Sequence, residues 1–92
     1  MFKHVILFKS NDPNAILLMC QHIMSIKNEI SGLLKVFYHK NLTDNAKGYN
    51  QMAIMEFKEK RDFANWRNHP YHQQAVNQLK KIAETLFFDY EC

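Results

Sequence analysis

With two cysteines, two glycines, two prolines and one tryptophan in 92 residues, this chain has few of the residues that mark specialised architectures. Cys20 falls inside an amphipathic stretch and Cys92 is the final residue, so neither has the spacing of a disulfide framework or a zinc knuckle. Glycine occurs only at positions 32 and 48, which excludes a glycine-rich phosphate loop. The apolar runs are far shorter than the roughly 20 residues of a membrane-crossing helix. There is no charged-then-apolar leader at the N-terminus, so a cytoplasmic protein in a reducing compartment, without a membrane partner, is expected.

One-sided charge is also missing. Twelve Lys and Arg against nine Asp and Glu give a net charge of +3, but the two signs are interleaved. The densest cluster, Lys58-Glu59-Lys60-Arg61-Asp62, reads as solvated charge at a turn. No basic face for nucleic acid is expected. The length suits one small domain spanning residues 1–92.

What the sequence does contain is periodic hydrophobicity. Residues 2–9 are apolar on both parities, the mark of a strand buried on two faces. Asp12-Pro13 supplies a cap and a first-turn proline, and Ile16, Met19, Cys20, Ile23, Met24 and Ile30 then recur at helical intervals, predicting a helix over 13–30. A second strand is expected over 33–41 and a third over 49–58, separated by the polar turn 43–48. A short helix with Phe63 and Trp66, a second long helix from Pro70, and a last strand over 85–91 complete the order strand, helix, strand, strand, helix, strand. That order folds most simply as α+β: a ferredoxin-like βαββαβ unit with a four-stranded antiparallel sheet and the helices on one face.

Helices on one face leave the other uncovered. By alternation that outer face carries Val5, Leu7, Leu33, Phe37, Met52, Ile54 and Phe87. At about 1.5–3 kcal/mol per buried large side chain, sealing it is worth on the order of 10–20 kcal/mol as a gross upper figure. This is comparable with an association cost of roughly 4–15 kcal/mol. A homodimer packed sheet against sheet is expected, because so extended an apolar face does not stay in water.

The inner face is expected to carry His4, Ile6, Phe8, Leu34, Val36, Tyr38, Gln51, Ala53, Met55, Leu86 and Phe88, with Met19, Ile23, His72 and neighbours above them. A mostly apolar lining with a few polar groups is the usual wall of a small-molecule pocket. The junction His69-Pro70-Tyr71-His72 makes His69 a cap and His72 the third residue of a helix whose apolar face it begins. His72 then reads either as a general base, its neutral form favoured by the helix N-terminus and its tautomer fixed by a carbonyl or Gln51, or as a space-filling ring bonded to backbone. His4 sits mid-strand and must find a partner, with Tyr38, Tyr90 or a ligand as candidates. His69 and His72 have ligand spacing but no neighbouring carboxylate or thiolate, so no metal site is expected. Trp66 and Tyr71 read as a lid at the pocket mouth or as cover for the core edge.

Four short elements in order, Lys3-His4-Val5-Ile6-Leu7-Phe8-Lys9, Gly48-Tyr49, His69-Pro70-Tyr71-His72 and Phe88-Asp89-Tyr90, resemble the stress-responsive dimeric α/β barrel (Dabb) domain family over nearly the whole chain. The resemblance implies a dimeric α/β barrel with an apolar cavity between sheet and helices in each protomer, and a scaffold that hosts several roles. One of these is a plant polyketide cyclase, whose mechanism is attributed to the histidine matching His72, a tyrosine six residues earlier and a first-strand histidine. His72 and His4 match that pattern. The tyrosine position holds Trp66, which cannot act as a phenol acid or base, and a further cavity histidine aligns with Gln51. These departures point away from the same cyclisation.

The resulting expectation is a homodimer that binds a small hydrophobic or aromatic molecule, without a cofactor. Contacts come from Phe8, Met19, Ile23, Val36, Tyr38, Gln51, Ala53 and Trp66, and proton transfer, where there is any, from His72 with His4 as second candidate. Two alternatives accompany it: a non-enzymatic stress-associated dimer with a packed cavity, and a cofactor-independent monooxygenase.

Overall fold

The computed structural model describes Met1 to Cys92. Strand β1 (Phe2–Ser10) leads to helix α1 (Pro13–Ser25), and a single 3₁₀ turn over Lys27–Glu29 precedes β2 (Leu33–Lys40). Strand β3 (Gln51–Phe57), helix α2 (Lys60–Arg67), helix α3 (Pro70–Ile82) and strand β4 (Ala83–Glu91) follow. The four strands form one antiparallel sheet in the order β2-β3-β1-β4, the expected ferredoxin-like topology. No helix is long and apolar enough to cross a membrane.

Helix starts follow the local chemistry of the sequence. Asp12 caps α1 by accepting from the Ala15 N–H at 3.2 Å, and His69 caps α3 by accepting from the Tyr71 N–H at 3.1 Å, each with proline next in line. The end of α1 differs from the expectation of a helix to residue 30. The helix stops at Ser25, whose hydroxyl donates to the His22 carbonyl, and the Ile26 N–H closes the last turn before the chain tightens into 3₁₀ geometry. At the start of α2, Glu59 and Asp62 form a reciprocal capping box. Gly32 stands over it at φ +74°, where a Cβ would lie 2.1 Å from Asp62 Cγ.

Two facings differ from strict alternation. A β-bulge between Leu33 and Lys35 makes Leu34 the extra residue, so Leu33 turns inward beside Phe57 and Leu34 is exposed. In β4, Phe87 faces Ile6 and Asp89 faces His4 across the ladder, which puts Phe87 and Asp89 on the helix side and Leu86 and Phe88 on the outer side. The apolar run Leu86-Phe87-Phe88 fits either parity, so pairing with β1 decides it. The outer face therefore carries Val5, Leu7, Phe37, Met52, Ile54, Leu86 and Phe88.

The buried side chains form two clusters. Phe2, Ile23, Ile30, Leu33, Met55, Phe57 and Trp66 make one; Ile6, Phe8, Ile16, Cys20 and Ala53 make the other.

Candidate functional site

A chamber of about 400 Å³ lies where these clusters meet, between the sheet and all three helices. Strands supply His4, Ile6, Val36, Ala53, Met55, Phe87 and Asp89; the helices supply Met19, Cys20, Ile23, Phe63, Trp66, Arg67, His72, Ala75, Val76 and Leu79. Thirteen of these seventeen are apolar, so polar contacts converge on a few groups only. The helices leave the edge strand β4 largely uncovered: Phe87 is 62% exposed, and Arg67 and Asp89 are exposed beside it, which makes this the mouth.

His4 lies on the chamber wall with its ring between Phe63 and Phe87, at centroid distances of 4.6 and 5.4 Å. Its Nδ1 meets Asp89 Oδ1 at 2.5 Å. The expected partners Tyr38 and Tyr90 are not used: Tyr38 donates to Gln51 Oε1 at 3.3 Å, and Tyr90 stands on the outer side of β4 beside Lys3. Burial pushes the His4 pKa below the ordinary imidazole value, against the opposing pull of Asp89 and with a smaller push from Arg67. The Asp89 bond takes Nδ1 and leaves Nε2 without a protein partner. A carboxylate on one ring nitrogen fixes the tautomer and leaves the other nitrogen as a base.

His72 enters from the first turn of α3, its ring edge-on to Trp66 at 5.3 Å. Its Nδ1 is buried and has no hydrogen-bond partner. Burial, Arg67 and His4, in that order, lower its pKa, while a main-chain interaction with Arg67 acts the other way. Of the two expected partners of the ring, Gln51 is engaged elsewhere, and the main-chain interaction is with Arg67. Gln51 is 2% exposed and spends its amide on Tyr38 and Asn50, with Nε2 donating to Asn50 Oδ1 at 2.6 Å.

Of the other residues singled out in the sequence, Met19, Ile23, Val36, Ala53 and Trp66 line the chamber. Phe8 and Gln51 do not; both are buried as facing partners of β1 and β3, Phe8 in the cluster with Ile16. Tyr38 borders a separate groove between α1 and β2, which shares the Cys20 and Val36 walls with the chamber. Trp66 is a buried wall at 4% exposure and not a lid, and Tyr71 packs between Trp66 and His22. His69 is committed to its cap. Sequence reasoning missed Phe63, Arg67, Phe87 and Asp89. Asp89 was visible only as part of a closing motif, and nothing short of the β1–β4 register reveals that it faces His4.

The stress responsive A/B barrel domain matches the chain over residues 2–92. No curated protein matches the sequence. Among solved structures, an Arabidopsis thaliana protein is 22% identical with a TM-score of 0.84, covering 100% of this chain and 95% of its own. A dimeric ferredoxin-like protein of unknown function from a Jannaschia species is 18% identical with a TM-score of 0.85, covering 99% and 98%. A Dabb family protein with a ferredoxin-like fold from Mesorhizobium loti is 18% identical with a TM-score of 0.82, covering 99% and 95%. At these identities the structures establish the shared fold.

Proposed function

This chain belongs to the stress responsive A/B barrel domain family, and from that premise we propose that it is a homodimer whose protomers each bind a small apolar or aromatic molecule in the chamber and move a proton on it without a cofactor. The observation that carries this reading is the placing of two imidazoles, one oriented by a carboxylate and one with a buried unpartnered nitrogen, on a chamber whose remaining lining is apolar but for Arg67. The volume of about 400 Å³ favours binding over a packed cavity. An unpartnered buried ring nitrogen costs roughly 1–3 kcal/mol, which a ligand polar group or a water recovers.

The chemistry is proton abstraction next to a carbonyl. Nε2 of His4 takes the proton from carbon, the electron pair of the broken C–H bond enters the enolate, the neutral His72 ring donates a hydrogen bond to the enolate oxygen, and the His4 imidazolium returns its proton, exchanged with solvent or not, to the carbon. Both rings are held towards their neutral forms, as a base near neutral pH requires. Seven apolar residues on the outer sheet face, together with the dimeric state described for the Jannaschia protein, support pairing through that face.

Binding is tested by titrating the protein with 4-ethylbenzamide and following the amide NMR signals of the wall residues Ala53 and Ala75. Saturable shifts are expected, and Ala53→Phe, which fills the chamber, should remove them. Unshifted wall signals at millimolar probe would sink the binding reading. Proton transfer is tested by deuterium exchange at the methyl carbon of acetophenone in D2O. The wild type should exceed free imidazole by about 10²–10⁴-fold, with His4→Leu and His72→Leu each losing that advantage.

A further inference from the structure

Three of the twelve Lys and Arg side chains form ion pairs. Lys3 pairs with Glu56 at 3.2 Å, Lys9 with Glu84 at 3.7 Å and Arg61 with Glu59 at 2.7 Å. Arg67, the last residue of α2, lines the chamber and has no carboxylate oxygen within 4.0 Å. The one acidic side chain of the lining, Asp89, is engaged by His4. Arg67 is therefore the only permanent positive charge on a mostly apolar lining, and its guanidinium is held in no ion pair.

Its position is that of a head-group anchor. Arg67 also borders an adjoining surface groove with Phe2, Lys60, Phe63, Asp89, Tyr90 and Glu91, so it stands where the chamber meets solvent. A molecule whose apolar body fills the chamber presents its polar end at this place. A guanidinium offers a planar fork of donors that matches the two oxygens of a carboxylate, and a hydroxyl or amide head uses only part of it. The Arg67 charge also acts on both His4 and His72, helping to keep the rings neutral, so neither imidazole duplicates its role.

We propose that the ligand of this chamber is an apolar or aromatic carboxylate, its hydrocarbon body against the Ala53 and Ala75 walls and its carboxylate bidentate on Arg67 at the mouth. This assignment rests on the chamber being a binding site and adds the chemical class of its occupant. It makes Arg67 a specificity residue and separates recognition, at the mouth, from proton transfer, at the histidines within.

The test compares 4-ethylbenzoate with its neutral isostere 4-ethylbenzamide at pH 7.5 and low salt, using the Ala53 and Ala75 amide signals of the full chain. The carboxylate should bind at least tenfold more tightly to the wild type. Arg67→Gln should erase the difference and Arg67→Lys should keep part of it. Equal affinity of both probes for the wild type, or a preference that survives Arg67→Gln, overturns the head-group assignment while leaving the chamber intact. Failure of both probes to bind overturns the chamber reading and this proposal with it. Arg67 is exposed, and the wild-type comparison is decisive even if a variant folds poorly.

Discussion

His4 Nδ1 and Asp89 Oδ1 meet at 2.5 Å from facing positions of β1 and β4, 85 residues apart in sequence. The pair lies on the chamber wall, between the interior and the exposed edge strand. It answers the difficulty of a polar ring in mid-strand, and it also holds that ring in one tautomer.

Replacing Asp89 by alanine leaves the His4 ring buried without its acceptor. A loss of about 1–3 kcal/mol in urea unfolding is expected. Asp89→Asn is the sharper probe, since it keeps the shape and removes the charge that raises the His4 pKa. The His4 titration followed by NMR should move further down, and an upward or unchanged midpoint would show that Asp89 does not act on the ring.

The two histidines contribute to the acid limb of stability. Both have folded-state pKa values below the ordinary 6.5, so the unfolded chain takes up protons first as the pH falls. Their contribution is complete above about 6.5 and is lost as the pH drops through that value towards the folded ones. Thermal midpoints measured from pH 7.5 to 5 should decline, and the decline should be shallower in His4→Leu and His72→Leu. Parallel curves for wild type and both variants would contradict this assignment.

Gly32→Ala should be among the most damaging small substitutions. The added methyl meets Asp62 Cγ at 2.1 Å, at a φ of +74° that alanine rarely adopts. Strain and overpacking together predict a cost on the order of 2–4 kcal/mol. Because Asp62 also closes the capping box of α2, amide exchange should accelerate over residues 60–67 before the rest of the chain. Uniform acceleration would show that the effect is not local.

The outer sheet face is tested by charge. Leu86 and Phe88 are 51% and 68% exposed and flank the central positions Val5 and Leu7. Leu86→Lys or Phe88→Asp should convert the dimer to a monomer in sedimentation velocity at micromolar concentration, with little change in the probe shifts of Ala53 and Ala75. A wild type that already sediments as a monomer would remove the dimer from the proposal.

Much of this protein is legible without coordinates. Two Xaa-Pro caps, two long helical apolar stripes and four strand-like runs are local signals, because capping and periodicity depend on residues within a turn of one another. They place the elements, their order and the sheet with helices on one face, and they single out His4 and His72. The early end of α1 was not legible, because Ile30 continues the apolar stripe although it is buried from beyond a 3₁₀ turn.

What tertiary structure alone decided is which side chains face each other. The bulge at Leu33–Lys35 and the register of β4 choose between parities that the sequence leaves equal, since Leu33-Leu34 and Leu86-Phe87-Phe88 are apolar at every position. Those choices move Leu33 and Phe87 inward and bring Asp89 onto His4. They also put Asp89 on the same lining as Arg67, which forms no ion pair. Alternation along a strand is a local property, whereas the meeting of His4 with Asp89 depends on pairing between the two ends of the chain, which only the folded sheet fixes.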